Sequence, residues 1–112
     1  MPGREDGAVH VSLTYFAECP NWRRAEEQLR QALDQLGHTD AAISHVAVET
    51  EEQAAAVGFR GSPTILVDGE DLFADHPAPG GLSCRVYRTA DGLAGTPGTA
   101  ELVRALRARE AR

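Results

Sequence analysis

The sequence predicts a single α/β domain over residues 8–110, with a mixed four-stranded sheet and helices on both faces. Three observations favour this fold class. Apolar side chains recur with the two-residue period of strands in some segments and with the 3.6-residue period of helices in others. The first strand, helix and strand form a βαβ unit, which implies parallel strands joined by a right-handed crossover. A hairpin signal and a last helix supply the second half of the domain.

The first strand and the first helix have the clearest patterns. Residues 9–16 alternate apolar with polar side chains and predict a strand. Apolar side chains then recur at helical spacing over residues 22–36, and Gly37 is a natural end for that helix. Pro20 suits the first helical turn, where no N–H donor is needed. The polar residues 1–7 predict a flexible N-terminal tail.

The rest of the chain is predicted as shorter elements. Thr50 followed by Gln53 fits a capping box that opens a short helix, and Gly58 closes it. An Asp-Gly pair is a strong signal for a hairpin turn, so the next apolar pair is expected to return antiparallel. The segments are strand 42–48, the short helix, strand 64–67, turn 68–69, strand 72–73, loop 74–83, extended segment 84–88, loop 91–98 and a helix from Thr96 or Thr99.

Charge and composition narrow the classes of function. The net charge of −6 argues against nucleic acid as a partner. No apolar run approaches the roughly 18 residues that a membrane span requires. The first residues also lack the apolar core of a signal peptide. We therefore expect a cytoplasmic protein with neither nucleic-acid nor membrane partners, and the sequence leaves its oligomeric state open.

The two cysteines, Cys19 and Cys84, are the main candidates for chemistry. A stable disulfide is uncommon in the cytosol, so catalytic, redox and metal roles gain weight. Cys19 stands where a strand ends and a helix begins, and the positive end of a helix favours the thiolate, which is the reactive form. Glu18 opposes this effect, and Arg60 reinforces it only if its loop folds toward the site. Cys19 is predicted to be the more reactive thiol.

Other residue types give no comparable pattern. His10, His38 and His45 are scattered and lack the spacing of metal ligands relative to either cysteine, so we expect no metal site. No glycine-rich phosphate motif follows a strand, and no cofactor is expected.

Residues 15–20, Tyr-Phe-Ala-Glu-Cys-Pro, are similar to the approach to the active site in the thioredoxin fold. Residues 62–64, Ser-Pro-Thr, are similar to the cis-proline loop of that family, and the order of elements resembles this fold as well. The resemblance implies a catalytic thiolate at Cys19 and a cis peptide bond at Pro63 beside it. It also implies that a bound substrate pairs with the backbone of Ser62, so that Ser62 and Pro63 contribute to substrate binding.

The chain departs from the thioredoxin pattern within the motif itself. The usual Cys-x-x-Cys is here Cys19-Pro20-Asn21-Trp22, so dithiol chemistry inside the motif is excluded. What remains is a monothiol centre at Cys19, or a disulfide between Cys19 and Cys84. Trp22 lies on the apolar face of the first helix and is expected in the core, with a substrate-binding platform as the alternative.

Residues 81–88 look like a segment of small bacterial thioredoxin-like proteins that are sometimes labelled alkylmercury lyase. Lyase chemistry requires two cysteines and a carboxylate, and Cys19, Cys84 and Asp75 supply those residue types. Asp75 and His76 also have a simpler interpretation as a polar pair on a loop.

The predicted function is thiol–disulfide exchange, in which Cys19 attacks a disulfide sulfur and Cys84 resolves the mixed disulfide. The expected partner is a disulfide-containing protein or a low-molecular-weight thiol. Two alternatives stay open. One is a non-catalytic binding module that keeps the scaffold, and the other is a soft-metal or organomercurial site that uses both thiolates.

Overall fold

The computed structural model describes residues 10–76, 78 and 81–110, and the predicted tail at residues 1–7 lies outside them. The elements in chain order are β1 (Val11–Tyr15), α1 (Trp22–Gln35), β2 (Ile43–Ala47), α2 (Glu51–Val57), β3 (Thr64–Val67), β4 (Glu70–Asp71), β5 (Tyr87–Thr89), β6 (Gly92–Ala94) and α3 (Thr99–Glu110). No helix within these residues has the length and apolar character needed to cross a membrane.

Four of the strands form one mixed sheet in the order β2-β1-β3-β4. β1 pairs in parallel with β2, with Val11 opposite Ile43, as expected for a βαβ unit. On its other side β1 pairs antiparallel with β3, which places Val11 opposite Val67. The predicted α/β class and the mixed four-stranded sheet are confirmed.

The hairpin after β3 returns earlier than the sequence predicts. Residues 68–69 both have positive φ, 53° and 84°, as a tight two-residue turn requires. Pairing with β3 therefore resumes at once in β4, and of the predicted residues 72–73 only Leu72 still pairs, since its N–H donates to the Ile65 carbonyl at 2.9 Å. The strand ends because a side-chain oxygen of Asp71 accepts the backbone N–H of Phe73 at 3.0 Å and the chain turns away.

Residues 91–98, predicted as a loop, contain a strand. β6 pairs antiparallel with β5 in a separate two-stranded sheet. The Thr89 hydroxyl closes the turn, since it donates to the Gly92 carbonyl at 2.7 Å and accepts the Asp91 N–H at 3.1 Å. The turn residues are Ala90 and Asp91, and Gly92, with a φ of 106°, is the first residue of β6, so the Asp91-Gly92 pair lies one position later than the Asp-Gly pair of the first hairpin.

Pro20 is predicted in the first turn of α1, but the helix begins at Trp22. The preceding residues form a turn of their own, closed by a hydrogen bond from the Cys19 N–H to the Phe16 carbonyl at 3.0 Å. The prediction is wrong because this turn uses the Cys19 N–H before the helical hydrogen bonds start. Cys19 therefore precedes the helix instead of forming part of its first turn.

The start of α2 follows the capping box. The Thr50 hydroxyl accepts the backbone N–H of Gln53 at 3.0 Å, and the Gln53 side chain accepts the N–H of Glu49 at 2.7 Å. Gly58 ends the helix in the left-handed conformation that glycine adopts without strain.

Two hydrophobic clusters hold these elements together. In the larger cluster α1 and α3 lie side by side on the sheet; its buried members are Val11, Leu13, Ala25, Leu29, Ala32, Leu33, Ile65, Val67, Phe73, Tyr87, Leu102 and Leu106. The smaller cluster joins Ala54 of α2 to Val48 and Phe59, with Phe16 against it. Phe16 and Val48 continue the alternation of the opposite sheet face, so α2 lies on the other side of the sheet at the carboxyl ends of β1 and β2.

Candidate active site

Cys19 lies in the turn between β1 and α1, and it is buried, with 3% of its surface exposed. It is a free thiol. Its sulfur donates a hydrogen bond to the carbonyl oxygen of Ser62 over 3.6 Å. This contact fixes the thiol against the loop that precedes β3.

The loop before β3 contains the cis peptide bond predicted from the sequence. The bond lies between Ser62 and Pro63, and both residues are buried. The Ser62 hydroxyl accepts the backbone N–H of Phe16 at 3.3 Å, which ties this loop to the turn that carries Cys19. The predicted cis bond at Pro63 and its position beside Cys19 are confirmed.

Cys84 lies beside the Ser62 loop because the backbone of its two neighbours hydrogen-bonds to Ser62. It forms an isolated parallel bridge with Ser62. The Ser62 N–H donates to the Ser83 carbonyl at 2.8 Å, and the Arg85 N–H donates to the Ser62 carbonyl at 2.9 Å. One residue, Ser62, therefore contacts the Cys19 thiol and holds the segment that carries Cys84.

The two thiols come close to each other because Cys19 and the segment of Cys84 both bind Ser62. Cys84 is exposed and also a free thiol, unlike the buried Cys19. Partial desolvation of its sulfur raises the pKa of Cys84, and the neighbouring Cys19 raises it further, because a thiolate is less stable beside a second sulfur that can also carry negative charge. The fold thus brings together the two cysteines of the chain, as a thiol pair requires.

The segment of Cys84 is anchored by a buried ion pair that the sequence analysis missed. Arg85 is fully buried and binds Asp71 at 2.9 Å, and its second terminal nitrogen donates to the Phe73 carbonyl at 2.6 Å. The buried Tyr87 donates its hydroxyl to the Pro63 carbonyl, and burial raises the pKa of this hydroxyl. Of the two apolar residues in this segment, Val86 is exposed and only Tyr87 is buried. The alternation of Arg85 with Tyr87 is the signal for two inward-facing residues.

Arg60 does not take up the role considered for it beside Cys19. Its guanidinium binds Asp71 and donates to the Ala74 carbonyl at 3.1 Å. Asp71 therefore holds two arginines, and the charge of Arg60 serves this ion-pair cluster.

Trp22 is half-buried at the edge of the larger cluster and does not lie deep in the core. Its ring stacks on Tyr15 with 4.1 Å between ring centroids, and the Arg23 guanidinium lies 4.7 Å from its centroid. His45 approaches its edge. These contacts make Trp22 part of a surface aromatic group, and its role as a substrate platform stays a prediction.

Asp75 is not brought to the two cysteines. Its exposed side chain hydrogen-bonds the ring of His76 at 3.1 Å, and this bond lowers the pKa of the Asp75 carboxyl. It lines a groove of about 930 Å³, whose described lining residues come from β4 to His76, from Arg88 and from α3 and include neither cysteine. Within the described ranges no group of three or more His, Cys, Asp or Glu side chains has a geometry that could hold a metal ion.

Comparison of the chain with protein families, with curated proteins and with solved structures gives no match.

Proposed function

We propose that this chain is a thioredoxin-like thiol–disulfide oxidoreductase in which Cys19 and Cys84 form the redox pair. The observation that carries the proposal is that Ser62 links two free thiols from distant parts of the sequence: its carbonyl accepts from the buried Cys19 sulfur at 3.6 Å, and its backbone forms a bridge with the exposed Cys84. The strand order β2-β1-β3-β4, a cysteine between β1 and α1, and the cis peptide bond before Pro63 support the thioredoxin-like assignment.

In this proposal Cys84 replaces the cysteine that the Cys-x-x-Cys motif lacks. Oxidation joins the two sulfurs and transfers two electrons to an acceptor disulfide, whose S–S bond breaks. The two thiol protons end on the two thiols released from the acceptor. The reverse reaction, with two thiols as the reductant, returns the pair to its starting state, so the cycle requires no cofactor.

Mild oxidation of the purified protein with diamide tests this proposal. We expect a Cys19–Cys84 disulfide within the monomer, detected by mass spectrometry of non-reduced peptides. Cys19→Ser and Cys84→Ser are the matched controls, and each abolishes the intramolecular bridge. A wild-type protein that forms only intermolecular disulfides, or whose Cys84 stays free, contradicts the redox proposal and favours a non-catalytic binding module.

The proximity of Cys19 and Cys84 at Ser62 also favours a second function, the binding of a soft metal ion. Adjacent thiolates are the ligands that ions such as Hg(II) and Cu(I) prefer. Because no larger donor group occurs in the described part of the chain, we expect two-coordinate binding by the sulfurs of Cys19 and Cys84. Titration of the reduced protein with Hg(II) tests this function. One equivalent bound tightly by the wild type and weakly by Cys84→Ser supports it, and equal binding by both proteins contradicts it.

A further inference from the structure

The backbone N–H and C=O of Ser62, beside the two thiols, are already paired. A polypeptide that binds by adding a strand needs free N–H and C=O groups along an edge. At Ser62 the N–H donates to the Ser83 carbonyl and the carbonyl accepts the Arg85 N–H, at 2.8 and 2.9 Å. β3 continues from this loop and pairs with β1 along one side, while on its other side β4 pairs with Leu66 and Val67. An extended peptide therefore finds no backbone partner at Ser62, the residue whose carbonyl contacts the Cys19 thiol.

The segment that occupies this position is fixed in place. Displacing Ser83, Cys84 and Arg85 from Ser62 would pull the buried Arg85 guanidinium away from Asp71. It would also strain the hydrogen bond between the Tyr87 hydroxyl and the Pro63 carbonyl. A buried arginine that loses its acidic partner is strongly disfavoured. Residues 83–85 therefore stay beside Ser62 and line one side of the site.

With this segment in place, the two thiols differ in their access to solvent. Cys19 is 3% exposed, whereas Cys84 and its neighbours Ser83 and Val86 are exposed. In thiol–disulfide exchange the attacking sulfur, the attacked sulfur and the leaving sulfur lie nearly in line. A disulfide that arrives from solvent can therefore react only with a thiol that it can reach. Cys84 meets this requirement, whereas Cys19 is buried.

From this geometry we infer that the substrate is a low-molecular-weight disulfide and that Cys84 attacks it first. This inference rests on the proposed redox pair and reverses the roles that the sequence predicts for the two cysteines. The Cys84 thiolate attacks one sulfur of RSSR, forms Cys84–S–S–R and releases RS⁻. The Cys19 thiolate then attacks the Cys84 sulfur, forms the Cys19–Cys84 disulfide and releases the second RS⁻. The two thiol protons end on two RSH, and RSSR has gained two electrons.

Single-cysteine variants test which thiol reacts first. The probe is hydroxyethyl disulfide, and the mixed disulfide is located by mass spectrometry after quenching with acid. We expect Cys19→Ser to form the adduct on Cys84 at least as fast as the wild type loses its first thiol. We expect Cys84→Ser to form the adduct on Cys19 at least about tenfold more slowly, because this sulfur is buried. Comparable rates for the two variants overturn the assignment of Cys84 as the attacking thiol.

The size of the substrate is tested with the wild-type protein. Rates of reaction with hydroxyethyl disulfide and with the disulfides of insulin are each divided by the rate for dithiothreitol, which corrects for the reactivity of the disulfides. We expect the small disulfide to be favoured by about tenfold or more, since it needs no backbone docking. An equal or larger normalised rate with insulin overturns the inference on substrate class.

These outcomes separate the inference from the proposed function. A protein that forms no Cys19–Cys84 disulfide under mild oxidation contradicts both. A protein that forms this disulfide, but reacts first at Cys19 or reduces insulin as readily as the small disulfide, contradicts the inference alone. Trapping the wild type with N-ethylmaleimide during the reaction gives the order of modification without any substitution that could affect folding.

Discussion

Two neighbouring acidic residues of β4 form ion pairs with arginines, but in opposite surroundings. Asp71 binds Arg85 at 2.9 Å, and the Asp71 side chain is only 6% exposed. Glu70 binds Arg109 of α3 at 2.7 Å, and the Glu70 side chain is 63% exposed. Successive side chains of a strand point to opposite sides, so one pair faces inward and the other outward. The two distances are similar, and the difference between the pairs lies in their access to water.

The buried pair of Asp71 with Arg85 determines where the segment of Cys84 lies. The exposed pair of Glu70 with Arg109 is a surface contact between β4 and α3. Water and salt screen exposed charges, so an exposed pair contributes little to stability. Removing one partner of a buried pair leaves a charge that water does not reach, and the cost is large. The comparison teaches that the position of Cys84 depends on Asp71, a residue without any contact to sulfur among its described hydrogen bonds and ion pairs.

The largest expected effect is that of Asp71→Ala. The substitution leaves the buried Arg85 without its carboxylate, so we expect the free energy of unfolding to fall by about 3–5 kcal/mol. Urea unfolding followed by circular dichroism measures the change. Glu70→Ala is the matched control in the same strand, with an expected loss of about 1 kcal/mol or less. Similar losses for the two variants would break the comparison.

Arg85→Lys sharpens the comparison by keeping the charge and removing the planar fork. Lysine cannot bind Asp71 and the Phe73 carbonyl with the same geometry, so we expect a stability loss of about 1–3 kcal/mol. Because Cys84 is then held less firmly, the equilibrium constant for the Cys19–Cys84 disulfide against glutathione should fall by about tenfold. Arg88→Lys, an exposed change in the same segment, is the control. An equal shift in both variants argues against positioning by Arg85.

The alkylation rate of Cys84 measures the environment of its thiol in the segment that the buried Asp71–Arg85 pair holds. Because its pKa is raised, little thiolate is present at neutral pH, and the rate of iodoacetamide alkylation should rise as the pH enters the alkaline range. Cys19→Ser removes the neighbouring sulfur that contributes to this shift but leaves the burial. The pKa of Cys84 then falls, and alkylation at neutral pH should become faster. Ser83→Ala keeps Cys19 and serves as the control; an unchanged or slower rate in Cys19→Ser contradicts the expectation.

The smallest effect on stability is expected for the exposed pair of Glu70 with Arg109. Arg109→Ala removes the exposed pair with Glu70, so the free energy of unfolding should fall by about 0.5 kcal/mol, and by less in high salt. The alkylation rate of Cys84 should not change. A loss as large as that of Asp71→Ala, or a changed rate at Cys84, would show that the two sides of β4 are not independent.

Much of the fold could be predicted because its signals are local. The alternation over β1, the helical period of α1 and the cap at Thr50 each depend on a few consecutive residues. The cis bond at Pro63 and its place beside Cys19 were accessible through the resemblance to a known family. The errors at β4 and β6 concern strands of two and three residues, where turn dihedrals decide which residues pair.

The sequence by itself determined the βαβ unit, the four-stranded sheet and the position of Cys19 at the end of β1, since side-chain period and turn chemistry act over short distances. Only the tertiary structure decided that Cys84 lies against Cys19. That contact depends on the backbone bridge to Ser62 and on the burial of Arg85 against Asp71. An arginine in sequence has no sign that it will be buried, because its burial is favourable only once a distant carboxylate has been folded into place beside it.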